Sequence, residues 1–320
     1  MNNIESIKNK SKCLIIGDIM LDKYVYGKYR NTLSETSAKI FQYEKEKNKL
    51  GGAANVAKNI KNLNNYTYLC GLIGCDNSGK TIEKILKDEK IKFVGIKDKK
   101  ITTITKMRCL INDKQILRLD SEREYSDNIQ RRMLDNIRKI IKKVDYIILS
   151  DYCKGIFTED FTQKIIKIAL KFNKNIIVNS KSKNIEKFKG SNTISFNFSE
   201  FCDVINKKIE RNNEYIQKEA INLLEYYNLE NIIVTKDKDG ITYINKENTY
   251  NLVSNANKVS DVSGAGDTVI AVYSNCISKK INKYIAIQIA NIAAGIAIGK
   301  KETSQITLRE LEKAILIGGY

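Results

Sequence analysis

The strongest chemical signal in the chain is an aspartate set just after two glycines, in the run Val259-Ser-Asp-Val-Ser-Gly-Ala-Gly-Asp-Thr-Val-Ile-Ala271. The apolar stretch after Asp267 reads as a helix, and glycines at a helix start let backbone N–H groups come close to an anion. Those N–H groups have no partner within the helix and point with the positive end of its dipole. Asp267 is badly placed to bind phosphate, because two anions repel. It is well placed to take a proton from a hydroxyl that attacks phosphorus. The run therefore predicts an anion hole built from Gly264, Ala265 and Gly266, with Asp267 as general base. The alternative is a glycine-rich turn with Asp267 as a helix cap.

Other residues could serve an acceptor. Asp18 and Asp22 sit at or just past the end of the first apolar run, residues 13–17. Gly51-Gly52 feeds a helix with Asn55 in its first turn, where glycines permit close approach and the amide offers both donor and acceptor. The alternative is a loop and helix packed tightly on a sheet. Lys106 and Arg108 share one face of a strand, and Gln115 begins the next strand after an Asn112-Asp113 turn. Two cations in register suit a substrate phosphate, with the forked guanidinium of Arg108 the better for geometric recognition. A solvated hairpin face is the competing reading.

These residues need a scaffold that brings them together. Apolar strands over 146–150, 176–178, 192–196 and 232–234 alternate with helical patterns over 128–143, 158–172 and 214–228, and each strand ends in a polar residue. That order predicts a mostly parallel sheet covered by helices, with ligands at the carboxyl ends of the strands. Asn179, Asn197, Glu200, Thr235 and Asp267 would converge on that edge. Mg²⁺ takes oxygen ligands and keeps waters, so Glu200 is expected to order a metal-bound water. Residues 23–50 and 101–120 have a different, alternating character and predict a small accessory sheet that acts as a flap. A single strand over 68–73, a helix over about 78–90, a strand over 241–244 and late helices over about 267–278, 281–298 and 307–316 complete the expectation.

Composition narrows the function. Fifty-five Lys and Arg against 37 Asp and Glu give a net charge of +18 over 320 residues. The lysines are spread through helical segments with no basic tract, so nucleic-acid binding is not expected, and a phosphorylated small substrate fits the same charge. The seven cysteines are scattered, odd in number, mostly set in apolar runs and without a CxxC, which reads as reduced core cysteines of a cytoplasmic protein with no zinc site. The absence of histidine excludes an imidazole base. Residues 284–299 are apolar but interrupted by Gln288 and Asn291, and no membrane role follows. Proline is absent where about 5% usage would give roughly 16.

Taken together, Gly51-Gly-Ala-Ala-Asn-Val-Ala57 and Asp261-Val-Ser-Gly-Ala-Gly-Asp-Thr268 resemble the two signature regions of the ribokinase-like (PfkB) carbohydrate kinases. Gly17-Asp-Ile-Met-Leu-Asp22-Lys-Tyr24, Thr105-Lys-Met-Arg108, Gln115-Ile-Leu-Arg-Leu-Asp120, Ser150-Asp-Tyr-Cys-Lys-Gly155 and Asn197-Phe-Ser-Glu200 are similar to the D-glycero-β-D-manno-heptose-7-phosphate kinase branch. The resemblance implies a three-layer α/β/α sandwich with a small β-sheet lid, in one domain over 1–320 that contains no nucleotidyltransferase domain. It implies transfer of the ATP γ-phosphoryl group to the C1 hydroxyl of a heptose 7-phosphate, with Mg²⁺, in the cytoplasm. By resemblance Asp18, Asp22, Gly51, Gly52, Asn55 and Gln115 hold the sugar and Lys106 and Arg108 approach its phosphate. Asn197, Glu200, Lys181, Thr235, Gly240 and Asn291 serve the nucleotide and metal region.

Related lids often pair across a homodimer. Departures from the family pattern fall at Asn31, Asn179 and Glu302, where the relatives carry arginine, aspartate and glycine. Two alternatives stay open: a kinase for another sugar or a nucleoside, and a catalytically weak binding protein that takes up nucleotide without transfer. If Asp267 is the base, Asp267→Asn folds and binds substrates while kcat falls by at least ~10²-fold. Near-normal turnover of that variant would remove the base.

Overall fold

The computed structural model describes residues 2–30, 39–122, 127–254, 264–300 and 305–318. Asn31, Asp261 and Glu302, named above, lie outside the described residues. In chain order the elements are α1 (Asn2–Lys8), β1 (Lys12–Gly17), β2 (Ile19–Arg30), β3 (Ile40–Gly52), α2 (Ala53–Asn62), β4 (Tyr66–Cys70), β5 (Leu72–Gly74), α3 (Asn77–Asp88), β6 (Lys92–Phe93) and β7 (Ile96–Asp98). The middle of the chain forms β8 (Ile104–Ile111), β9 (Lys114–Ser121), α4 (Asp127–Ile140), β10 (Tyr146–Asp151), α5 (Glu159–Lys171), β11 (Asn175–Ser180) and β12 (Thr193–Asn197). The last part forms α6 (Phe198–Ile205), α7 (Asn213–Tyr226), β13 (Asn231–Thr235), β14 (Ile241–Asn245), β15 (Thr249–Leu252), α8 (Ala265–Ser278), α9 (Lys283–Ile298) and α10 (Leu308–Gly318).

A nine-stranded sheet runs β15-β14-β13-β12-β11-β10-β1-β4-β6, parallel from β13 through β6, with β14 and β15 antiparallel at one edge. Strands buried on both faces are near-continuously apolar, and alternate side chains serve opposite layers. Leu14 and Ile16 of β1 join Ile137 of α4, Ile165 of α5 and Leu224 of α7. Cys13 and Ile15 join Val56 and Ile60 of α2 and Ile270 of α8 on the other side. Beyond them α8, α9 and α10 close over Ile233 and Tyr243, with Ile7 of α1 buried in the same cluster. This is the expected three-layer α/β/α sandwich.

The lid is a separate four-stranded sheet, β3-β2-β8-β9, built from the two segments the alternation picked out. β2 and β8 pair in parallel with Asp22 opposite Lys106 and Tyr24 opposite Arg108, so period-2 alternation puts these four on one face. The Asn112-Asp113 turn has φ of 49° and 62°, the doubly left-handed backbone that joins a two-residue hairpin with the sheet's own twist.

Several expectations need correction. The single strand expected over 68–73 is two, broken at Gly71, where a β carbon would lie 2.4 Å from the Gly17 carbonyl. Its second half pairs with β7 in a small sheet of its own. The short helices α1 and α6 and the edge strand β15 have too few turns or residues to show a period, and the sequence reading did not place them. Not all the cysteines enter the core. All seven are free, but Cys75 and Cys153 are exposed and Cys202 is half-buried. Among the described residues no helix is long and apolar enough to cross a membrane.

Candidate active site

The parallel strands end on one edge, and the polar residues that finish them meet the start of α8 there. Gly264 is the N-cap of α8, with φ of 84°, which places Asp267 at the third helical position. An Asp acting as cap would use its oxygens on the helix N–H groups. Here they accept from side chains on three other elements. Asn55 Nδ2 of α2 donates to Asp267 Oδ2 at 2.7 Å, while Tyr152 Oη and Asn179 Nδ2 donate to Oδ1 at 2.8 and 3.1 Å. Asp267 is buried, and burial pushes its carboxyl above the ordinary carboxylate range, with the Asn55 and Tyr152 donors and the Lys181 charge pulling the other way. A raised but hydrogen-bonded carboxylate is what a general base needs.

Around it opens a cleft of about 640 Å³. Gly264, Ala265, Gly266, Asn197, Glu200, Lys181, Thr235, Gly240 and Asn291, all singled out from the sequence, line it. A β carbon at Gly266 would meet nothing within 4 Å, so packing does not require glycine at that position. The space beside the first-turn amides of α8 fits a phosphate group, which needs close approach to N–H donors.

Asn197 and Glu200 form a capping box on α6. Asn197 Oδ1 accepts from the Glu200 N–H and Glu200 Oε2 accepts from the Asn197 N–H, each at 2.8 Å. Glu200 thus commits one carboxylate oxygen to the helix, and burial, with the Asp267 charge as a smaller contributor, raises its carboxyl pKa. The described residues contain no cluster of three or more His, Cys, Asp or Glu able to hold a metal ion. Glu200, with one oxygen already committed to the helix, fits Mg²⁺ held mainly by waters and phosphate oxygens. Asn291 donates to the Val253 carbonyl at 2.7 Å, fixing α9 to the segment just past β15, whose Ser254 lines the cleft.

The other group lies on the lid side of Tyr152. Asp18 follows β1 and is fully buried. Its Oδ2 accepts from the Tyr152 and Lys154 N–H groups at 2.7 and 3.2 Å, while Oδ1 has no hydrogen-bond partner among the described residues. Burial, then the nearby Asp151 charge, pushes the Asp18 carboxyl up to about 7. Gly51 and Gly52 are required by contact, since β carbons there would lie 2.5 Å from Asp22 Oδ2 and 2.4 Å from the Asp18 carbonyl.

Arg108 does not present a free fork. One nitrogen is bonded to Asp22 Oδ1 at 2.7 Å, and the guanidinium lies 5.3 Å from the Tyr24 ring centroid. Lys106 stands 5.7 Å from the Tyr152 ring centroid, its pKa lowered by burial and by Lys181.

Asn55, an expected sugar contact, gives one amide N–H to Asp267, and its oxygen accepts from Gln305 at 3.0 Å. Gln115 lies on β9, exposed along its whole length, and is not brought to the cleft. Tyr152 and Arg211 were missed as site residues. Tyr152 follows a strand end and belongs to the polar row that flagged Asn179 and Thr235. Arg211 lines the cleft through ion pairs to Asp237 and Asp239 at 3.0 and 3.2 Å, and its loop position gave no signal.

The chain matches the family described as pfkB family carbohydrate kinase over residues 10–309. Bifunctional protein HldE of Haemophilus influenzae strain PittEE is 35% identical over 309 residues, 96% of this chain and 64% of that protein. Bifunctional protein HldE of Actinobacillus succinogenes is 33% identical over 306 residues, 95% and 63% of the two chains. The chain therefore spans just under two thirds of the length of these curated relatives. In fold it is similar to phosphofructokinase-2 from Escherichia coli in complex with fructose-6-phosphate, with a TM-score of 0.80, 14% identity and coverage of 97% and 99%. Arabidopsis thaliana ribokinase complexed with ribose and ATP gives a TM-score of 0.77 at 17% identity, covering 96% and 99%. With a glycine-started helix carrying a buried aspartate at the strand ends and a family match spanning nearly its whole length, this chain belongs to the pfkB family of carbohydrate kinases.

Proposed function

We propose that this chain is an ATP-dependent kinase that phosphorylates the C1 hydroxyl of D-glycero-β-D-manno-heptose 7-phosphate, giving the 1,7-bisphosphate on the way to ADP-heptose and lipopolysaccharide. The observation that carries the phosphoryl-transfer reading is the buried Asp267, held by three neutral donors at the mouth of an open glycine-lined helix start. The acceptor rests on the heptose-branch motifs and on the 35% identity to a bifunctional HldE protein.

In this reading the acceptor sits under the lid against Asp18 and Asp22, and Asp267 takes the proton of the attacking hydroxyl. The α8 amides and Lys181 stabilise charge on the transferring group. Mg²⁺, held near Glu200 and Asn197, would neutralise phosphate charge. The lid excludes water that would otherwise compete with the acceptor. Lys106 approaches the 7-phosphate, joined by the donors of Arg108 that Asp22 leaves uncommitted. Two copies pair through the lid, a reading supported by the exposed Ile116, Leu117 and Leu119 on β9. A sedimentation mass of one chain at micromolar concentration would remove the dimer.

A non-phosphorylated sugar is the second acceptor reading, and the Arg108–Asp22 pair favours it, because a guanidinium already paired is a weaker phosphate clamp. A purified-enzyme assay with ATP·Mg²⁺ against sugars and sugar phosphates decides between them. Phosphorylation of the heptose 7-phosphate at C1 is expected. Faster turnover of a non-phosphorylated sugar would overturn the acceptor, and no transfer to any acceptor would overturn the kinase.

Gly266→Ala separates a ligand role from a packing role. The new methyl meets no protein atom, so thermal stability is expected to hold or to rise by about 0.5–1 kcal/mol, as alanine favours a helix over glycine. The KM for ATP is expected to rise at the same time. An unchanged KM would mean the open space is not used by the donor.

A further inference from the structure

The turn that leaves β10 reaches both sides of the site. The Tyr152 N–H is bonded to Asp18 and the Tyr152 hydroxyl to Asp267, at 2.7 and 2.8 Å. Its ring lies 4.5 Å from the Lys181 ammonium and 5.7 Å from that of Lys106. Lys154 adds a second N–H to Asp18, and its ammonium reaches Glu122, just past the last lid strand, at 2.6 Å.

The backbone between these contacts is held in an uncommon shape. Cys153 has φ of 58° and Gly155 φ of 92°. The Cys153 N–H is bonded to Asp151 Oδ1 at 2.9 Å, and Asp151 Oδ2 takes the Lys187 ammonium at 2.7 Å and the Ser180 hydroxyl at 3.0 Å. A residue with a β carbon persists in the left-handed region where its surroundings over-determine it, and such strain collects at functional sites.

On the reading that the chain is a sugar kinase with Asp267 as base, we propose that Tyr152 is a positioning residue that fixes the Asp267 carboxylate relative to an acceptor held at Asp18. Asp267 Oδ2 is turned by Asn55 and Oδ1 by Tyr152 and Asn179, so the carboxylate plane is set from both sides. Of these donors, only Tyr152 is also tied to the acceptor-side carboxylate. Its ring gives a rigid link with two side-chain torsions between the two anchors. An acceptor hydroxyl bonded to the unpartnered Asp18 Oδ1 would therefore be registered against the oxygen that takes its proton.

The test is Tyr152→Phe, which keeps the ring under both lysines and the main-chain bond to Asp18 and removes only the hydroxyl. The charged or titratable groups facing Asp267 are Lys181 after β11, Asp22 on β2, Glu200 on α6 and Lys106 across the Tyr152 ring, and none of them is altered. Loss of a donor to the carboxylate favours its protonated form, so its pKa rises and the acid limb of the kcat–pH profile moves to higher pH.

At neutral pH kcat is expected to fall roughly ten- to hundredfold, the scale of one hydrogen bond to a charged group, while the KM for ATP stays within about twofold. An unfolded fraction would scale the whole profile and leave its limb in place, so the limb position reads the hydroxyl itself. A limb that coincides with the wild-type limb overturns the proposal. So does a change confined to the KM for ATP, which would assign Tyr152 to donor binding. Wild-type protein, run in parallel, separates the two readings: no transfer by wild type defeats the kinase, whereas an active wild type with an unmoved variant limb defeats only the role of Tyr152.

Discussion

Burying one carboxylate in the first turn of a glycine-started helix is the constraint that shapes this molecule. Asp267 has left water, and an unpaired buried carboxylate would take a proton and cease to be a base. Three neutral donors from α2, β11 and the turn after β10 stabilise its charged form without neutralising it. Neutral donors suit the position, because a directly bonded cation would hold the pKa low and blunt the base. The positive charge that acts on Asp267 is that of Lys181, which also lies over the Tyr152 ring and lines the cleft. Each of the three donors is in turn fixed by a piece of the core, so the geometry of one side chain depends on the packing of both helical layers.

The fold was legible because burial on both faces writes itself as apolar runs, and the row of polar residues ending those runs marked the cleft edge. Asn179, Asn197 and Thr235 were found that way, and Asp267 from the glycine run before it. What stayed hidden depends on partners distant in sequence. Asn55 reads as a sugar ligand from its place in a first helical turn, and its bond to a residue 212 positions away is not visible in the sequence. Arg108 reads as a free phosphate clamp until the parallel pairing of β2 with β8 brings Asp22 to it. Gln115 sits on a strand whose two faces are both exposed, and alternation alone does not reveal which lid strand lies outermost. Arg211 belongs to a polar loop with no period, so only the folded chain shows its two aspartates.

The missing prolines leave turns and helix starts to other residues. Asparagine takes much of that work. Asn64, Asn112, Asn173, Asn206 and Asn228 hold positive φ, a conformation asparagine tolerates better than other residues with a β carbon. Asn197, Asn212 and Asn282 cap helices with their side-chain oxygens. Asn179 is a further amide in a working position. A carboxylate there would face Asp267 as a second anion, whereas the amide donates a hydrogen to it.

The bond between Asn55 and Asp267 joins an early helix to a late one. On a ribosome the glycine-lined mouth of α8 emerges long after α2, and Gln305, which steadies Asn55 from behind, emerges later still. A partly synthesised chain therefore contains β10 to β15 before it contains Asp267. The two ends of that bond meet only when α8 has been made and has docked on α2.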